Sequence, residues 1–257
     1  MNDGIYCIFE SMAEEQKQWF KSWFDTEEYH ELYGHRDHNE AARFIKKLCA
    51  ELTIPIASFC IDLASGKGRH SNTLAELGMN ILGLDLSENS VSYAKSNAHK
   101  NASFQVHDMR NPLPVKEVDY IFNLFTSFGY FAEEETDAQI VQHQYNALKS
   151  GGMFIQDYLN AGPVVGQLPQ KELIEKPGNT YHIRKYLAAG NINKEIRFGQ
   201  GDDARTYTEQ VKIYSLEKLK HLHEEAGFEV QHIFGDYELT SFNPSTSKRI
   251  IIISKKC

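Results

Sequence analysis

The run Asp62-Leu-Ala-Ser-Gly-Lys-Gly68 holds the first residues whose types and spacing could do chemistry. An apolar stretch, Ala57 to Ile61, leads into it and a helix-like segment, Arg69 to Leu77, follows. Strand, glycine turn and helix start, in that order, mark a nucleotide-binding turn. Two glycines let the backbone pass close to a ligand where a Cβ would collide, and the helix N-terminus beyond offers unpaired N–H groups. In a dinucleotide fold the strand runs straight into its first glycine and the pyrophosphate sits on the helix dipole. Here a carboxylate stands at the strand end ahead of Gly66, where it repels a phosphate but can hold a cationic amine. The expected ligand is therefore not a dinucleotide.

Other acids follow in step. The apolar run Asn80 to Leu84 ends in Asp85, near the distance at which nucleotide folds place an acid for ribose hydroxyls. Ser103 to Val106 ends in His107-Asp108-Met109, Val118 to Asn123 opens into Leu-Phe-Thr-Ser-Phe-Gly-Tyr130, and Met153 to Gln156 ends in Asp157-Tyr158. These motifs stand at the carboxyl ends of expected strands, where open parallel sheets bind ligands.

The pattern Asp-x-Ala-x-Gly-x-Gly, with this ordered set behind it, resembles the class I S-adenosylmethionine-dependent methyltransferases of small-molecule type. The likeness is close over residues 57 to 160 and looser in the tail. It implies S-adenosyl-L-methionine as cofactor, with Asp62, Ala64, Gly66 and Gly68 at its methionine end and Asp85 with Leu86 at its ribose. It implies Asp108 and Met109 at its adenine, with Asn123 and Phe125 at the fourth strand's end. For Asp108 the plain alternative is a turn aspartate ahead of Arg110 and Pro112. In related enzymes an N-terminal helical segment closes the site, which points to Tyr33 and Arg36, with Tyr29 on the same helix face as Tyr33. An aromatic stripe packing on the sheet explains the neighbouring Trp and Phe residues equally well. Phe128, Tyr130, Tyr186 and Arg197 are the substrate-side candidates, and Asp157 and Tyr158 the catalytic ones. Strand alternation lets only one of that adjacent pair point inward, and a turn aspartate is an equal reading of Asp157.

Composition narrows the function. The formal net charge of −8 over 257 residues weighs against a nucleic-acid partner, which needs a basic surface. No stretch reaches membrane-spanning length, and Met-Asn-Asp-Gly lacks the basic start of a secretory signal. The four cysteines include no Cys-x-x-Cys pair, so no zinc site or disulfide framework is expected, and a cytoplasmic setting fits. His70 and His107 read as structural, and His30, His35 and His38 with Glu28 and Glu31 as a polar linker rather than a metal site. Asn123-Leu-Phe-Thr replaces the Asn/Asp-Pro-Pro-aromatic of nucleic-acid amino-methylases, and no Pro-Cys occurs. A small-molecule acceptor remains, its methylated atom (O, N or S) open. The alternatives are a noncatalytic S-adenosylmethionine-binding protein and a nucleotide-linked oxidoreductase. The oligomeric state, monomer or homodimer, is open.

The elements that must position these residues divide the chain into an N-terminal helical lid (1–56), an α/β core (57–162), a β-rich insertion as substrate cover (163–214) and a C-terminal helix with a strand pair (215–257). The lid carries aromatic residues Trp19, Phe20, Trp23 and Phe24, then an amphipathic helix through Ala41, Phe44, Ile45 and Leu48 that Asp37 or Asn39 could cap and Pro55 ends. Ser87 caps a helix to Ala98, and Gly151-Gly152 closes another from Glu134 to Lys149. The insertion shows strands at Tyr181–Ala188, Glu195–Phe198 and Arg205–Tyr214. Ser215 caps a helix to Ala226 ahead of the strands Phe228–Phe234 and Arg249–Ser254. The expected fold is a Rossmann-like α/β sheet of seven strands, mostly parallel, with an antiparallel last strand.

Overall fold

The computed structural model describes residues 19–33 and 38–257. Strand–helix alternation yields β1 (Phe59–Leu63), α4 (Arg69–Glu76), β2 (Asn80–Asp85), α5 (Glu88–Ser96), β3 (Ala102–Val106), β4 (Val118–Asn123), α6 (Glu134–Ala147) and β5 (Leu148–Leu159). Ahead of them lie α1 (Trp19–Trp23), α2 (Glu27–Tyr33) and α3 (His38–Glu51). After them come α7 (Ala161–Val165), β6 (Gln170–Lys176), β7 (Asn179–Ala188), β8 (Asn191–Phe198), β9 (Arg205–Lys212), α8 (Leu216–Glu225), β10 (Phe228–Phe234) and β11 (Arg249–Lys256).

The main sheet has seven strands in the order β10-β11-β5-β4-β1-β2-β3. Neighbours from β5 through β3 pair in parallel, and β11 pairs antiparallel with both β5 and β10. Only β11 therefore runs against the rest. The order reverses between β1 and β4, and the crevice at such a switch point is where open sheets receive ligands. Central strands buried on both faces need continuous apolar runs, and Ile250 to Ile253 of β11 satisfy this by being fully buried. Phe44, Ile45 and Leu48 of α3 with Leu74 and Ala75 of α4 cover one face; Ile140 and Val141 of α6 with Leu219 and Leu222 of α8 cover the other.

Several boundaries differ from the sequence reading, and one strand is added. β1 starts at Phe59, because Ala57 turns at φ +67°, and runs to Leu63, so Asp62 is its penultimate residue. α6 stops at Ala147, since Leu148 already pairs with Val118, and Gly151-Gly152 falls in β5 at a register irregularity. β6 is an additional strand whose sequence, Gln-Lys-Glu-Leu-Ile-Glu-Lys, is too charged to read as one; it survives as the edge of the four-stranded antiparallel sheet β6-β7-β8-β9. Of the proposed caps for α3, Asn39 lies within the helix and Asp37 outside the described residues.

One of the polar clusters buried in this core centres on α8. His223 of α8 is fully buried, its Nδ1 2.8 Å from Ser254 Oγ and its Nε2 2.9 Å from Gln156 Oε1. Burial pushes its imidazole down to about 3 from the ordinary 6.5. The folded protein refuses a proton that the unfolded chain accepts below pH 6.5, so the contribution is complete above that pH and is lost as pH falls towards 3. The stability difference between wild type and His223→Gln should be flat above pH 6.5 and shrink by about 1.4 kcal/mol per unit below it. Urea unfolding at pH 7.5, 6.0 and 5.0 measures this; a difference independent of pH would show that His223 takes up its proton without unfolding.

Candidate active site

A cavity of about 440 Å³ opens at the carboxyl ends of β1 and β2, roofed by α1, α2 and β9. Its floor is the glycine turn. Asp62, fully buried, lines it and accepts a 2.6 Å bond from Ser71 Oγ. Burial pushes the Asp62 carboxyl up to about 7, so a cationic group brought beside it would draw off its proton. Asp85 clamps the turn: Oδ2 accepts from Gly66 N at 2.7 Å and Oδ1 from Ser87 N at 2.9 Å. Burial pushes this carboxyl up as well.

The two glycines serve different ends. Gly66 lines the cavity at φ +53°, and a Cβ there would meet nothing within 4 Å, so it borders open space. Gly68, at φ +81°, lies outside the lining, and a Cβ on it would come within 2.6 Å of the Phe104 ring. Gly68 is held to glycine by its backbone conformation and by the close Phe104 ring, while Gly66 is the one that borders the cavity.

Ala64, Leu86, Met109, Phe125, Tyr130 and Tyr33 all line the cavity, as does Tyr29. Asp108 lines it too, but its carboxylate is gripped by Arg110, through Nε at 3.0 Å and Nη2 at 2.5 Å. Arg36 lies outside the described residues. Asn123 is buried away from the cavity, its Nδ2 donating to Leu63 O at 3.2 Å and Ser127 O at 3.1 Å, which ties β4 to β1 and to the following loop.

The expected catalytic pair does not reach the cavity. Asp157 is fully buried and its carboxylate is committed: Oδ1 to Arg249 Nε at 2.7 Å, Oδ2 to Phe125 N at 2.8 Å and Tyr237 OH at 3.1 Å. Tyr158 donates to Lys212 O at 2.7 Å and packs against Phe128, which is itself buried outside the lining. Tyr186 lies under the Arg184 guanidinium at 4.9 Å and Arg197 is exposed; neither lines the cavity. The insertion instead offers Glu209 and Val211, two apart on β9 and thus on one face.

Sequence reasoning passed over Ser65, read His107 as structural and placed Trp19 in the aromatic group of the N-terminal segment. Each lines the cavity, and Ser65 Oγ, His107 Nε2 and Trp19 Nε1 are buried without a hydrogen-bond partner among the described residues. Position beside Ser65-Gly66 and Asp108 was the available signal for the first two; nothing in the sequence marked the indole. Burial pushes the His107 imidazole down, leaving it neutral with a donor and an acceptor to offer. His30 lines the cavity also, pushed down to about 4 by burial and by Lys67. Among the described residues no three metal-ligating side chains come together.

The lid is anchored on both sides. Asp25, between α1 and α2, accepts from Ser87 Oγ at 2.5 Å and Asn89 N at 3.1 Å at the start of α5, and its Oδ2 accepts from Asn89 Nδ2 at 3.0 Å. Glu31 of α2 accepts from Asn179 Nδ2 at 2.9 Å and from Tyr181 OH, and Trp23 stacks on Tyr207 at 4.6 Å. Asp25→Ala should loosen the core-side anchor, speeding hydrogen exchange of the α1–α2 amides about tenfold while leaving the sheet amides unchanged. Unchanged exchange over residues 19–33 would mean the insertion side holds the lid alone.

A glycine turn after β1, with acids near the carboxyl ends of β1 and β2, set on a seven-stranded sheet with one reversed strand, defines the methyltransferase architecture. A family model described as a methyltransferase domain matches residues 58–227. The chain belongs to this family, and it is an enzyme of the S-adenosylmethionine-dependent methyltransferase class. It is similar to YqeM of Bacillus subtilis (strain 168), named there as a candidate methyltransferase, at 22% identity over 89% of this chain and 94% of that one. Its fold is similar to an S-adenosylmethionine-dependent methyltransferase from Clostridium acetobutylicum ATCC 824, with TM-score 0.75, 17% identity, and 97% and 99% of the two chains covered. It is also similar to CalS10, an amino pentose methyltransferase from Micromonospora echinaspora solved with S-adenosylmethionine bound, with TM-score 0.66, 19% identity, and 90% and 98% covered.

Proposed function

We propose that this enzyme moves a methyl group from S-adenosylmethionine to a small-molecule acceptor inside the cavity under α1, α2 and β9. The observation that carries this is the set of unpaired buried atoms, Ser65 Oγ, His107 Nε2 and Trp19 Nε1, in residues that line the same cavity as Asp62 and Asp85. Buried polar groups without partners cost about 1–3 kcal/mol each, so a polar ligand is the expected remedy. Asp62 suits the ammonium of the methionine end, Gly66 leaves room for close approach, and Asp85 has lone pairs left for ribose hydroxyls. His107 and the Met109 backbone would meet the adenine, with Asp108 held by Arg110 beside them.

Bound S-adenosylmethionine supplies an electrophilic sulfonium methyl, so the protein's work is alignment and exclusion of water. The aromatic lid of Trp19, Phe20, Phe24, Tyr29 and Tyr33 performs the exclusion. With residues 57–162 as cofactor core, the stretch 163–214 acts as substrate cover through β9. The net charge of −8 supports a small acceptor over a nucleic acid. Among the described residues no helix is long and apolar enough to cross a membrane. CalS10 is named an amino pentose methyltransferase and KedS8 a sugar N-methyltransferase, which supports the small-molecule reading.

A thermal-shift panel tests it. S-adenosylhomocysteine at about 100 times its dissociation constant should raise the melting temperature by roughly 5–10 °C, from about 2.7 kcal/mol of linkage. NAD should leave it unchanged; a shift with NAD alone would favour the oxidoreductase. Cofactor binding with no transfer across a broad metabolite screen would favour the noncatalytic alternative.

A further inference from the structure

We propose that the acceptor is an amine and that Glu209 selects it, an inference that rests on the methyl-transfer function above. Glu209 lines the cavity with its side chain 16% exposed. Its Oε1 is saturated, accepting from Trp23 Nε1 at 2.7 Å and Tyr33 OH at 2.6 Å. Its Oε2 makes no hydrogen bond among the described residues and is held only by a long ion pair of 3.9 Å to Lys194 Nζ, which donates instead to the Tyr33 hydroxyl. That oxygen of a well-anchored carboxylate keeps its lone pairs for a ligand's N–H donor.

The surroundings of that carboxylate decide which ligand. Trp19, Phe24, Tyr29, Tyr33 and Tyr130 line the same cavity as one continuous group of rings. Centroids are 5.2 Å apart for Trp19–Phe24, 5.4 Å for Trp19–Tyr130, 5.0 Å for Phe24–Tyr29 and 4.8 Å for Tyr29–Tyr33. Aromatic faces beside a carboxylate attract an alkylammonium, through the ring quadrupoles and a charge-assisted bond. A neutral hydroxyl gains only an ordinary bond there, and an anionic acceptor is repelled. The unpaired Trp19 N–H in the same group of rings suits an oxygen on the body of the amine.

The amine enters as the ammonium and sheds a proton to water, and Glu209 holds the neutral nitrogen through an N–H. The nitrogen lone pair then forms the N–C bond to the methyl carbon as the S–C electron pair returns to sulfur. The methylated product leaves as an ammonium or loses its proton to solvent.

Matched probes test the assignment on the full chain saturated with S-adenosylhomocysteine: cyclohexylamine against cyclohexanol, benzylamine against benzyl alcohol, and a methyl aminodeoxyhexoside against its parent hexoside. Calorimetry should show amines binding about tenfold or more tightly than their alcohol twins. Glu209→Gln keeps an acceptor for Trp23 and Tyr33. It should remove about tenfold of the amine affinity while S-adenosylhomocysteine binds within about twofold of wild type. Alcohols bound as well as amines, or no amine bound by the cofactor-loaded chain, would overturn the amine assignment and leave the methyltransferase function standing. An amine preference untouched by Glu209→Gln would overturn the role of this residue. A chain that binds no S-adenosylhomocysteine would remove the function itself.

Discussion

Asp157→Ala is expected to lose about 3–5 kcal/mol of folding stability, a fall of roughly 10 °C in melting temperature for a chain of this size. The reason is Arg249, whose Nε donates to Asp157 Oδ1 at 2.7 Å and which would be left largely buried without its counter-charge. The same carboxylate holds the turn after β4, where Phe125 and Thr126 stand consecutively at φ +63° and +62°. Left-handed backbone at two successive non-glycine residues persists only when its surroundings impose it. Here Asp157 supplies an acceptor for Phe125 N at 2.8 Å and, through its carbonyl, for Thr126 N at 3.0 Å, while Arg249 Nη2 donates to Thr126 Oγ1 at 2.8 Å. Asp157→Asn should fall between wild type and alanine, since it keeps an acceptor but not the charge. Tyr158→Phe, losing one bond to Lys212 O, should cost about 1 kcal/mol. Calorimetry and urea unfolding measure all three. An alanine variant that melts like wild type yet fails to turn over would return Asp157 to the chemistry.

The second large effect falls on binding. Asp85→Ala should weaken S-adenosylhomocysteine about tenfold to a hundredfold, since a charge-assisted bond in a closed site is worth about 1.5–3 kcal/mol. Part of that loss is direct, through the ribose hydroxyls, and part is through the turn, because Gly66 N and Ser87 N lose their acceptors. α5 should survive, since Ser87 Oγ still accepts from Ser90 N at 3.0 Å. Isothermal calorimetry with circular dichroism as control separates the two parts: helix content intact and affinity reduced is the expected pair. Unchanged affinity would place the ribose away from Asp85.

The alternation of apolar runs and helical segments, read locally, determined the parallel sheet, its reversed strand and the family. Asp62 and Asp85 were legible for the same reason: a strand ending at a glycine turn or an acid puts those residues at the carboxyl edge whatever packs around them. Which neighbours face the ligand was decided only in three dimensions. Phe128 and Tyr130, or Asp157 and Tyr158, differ by one or two positions, and a loop that turns through two left-handed residues resets which of them points inward. Asp157 went inward to Arg249, a partner 92 residues away that no local pattern announces. Glu209 reads as one charged residue among several on an insertion strand. It becomes part of the site because the antiparallel meander lays this face of β9 against α1 and α2, where the Trp23 and Tyr33 donors meet it. Sequence spacing carries strand identity and edge position, both set by contacts within a few residues. The phase of side chains across a loop and the partner of a buried charge are set by packing between distant segments, and those the tertiary structure alone supplies.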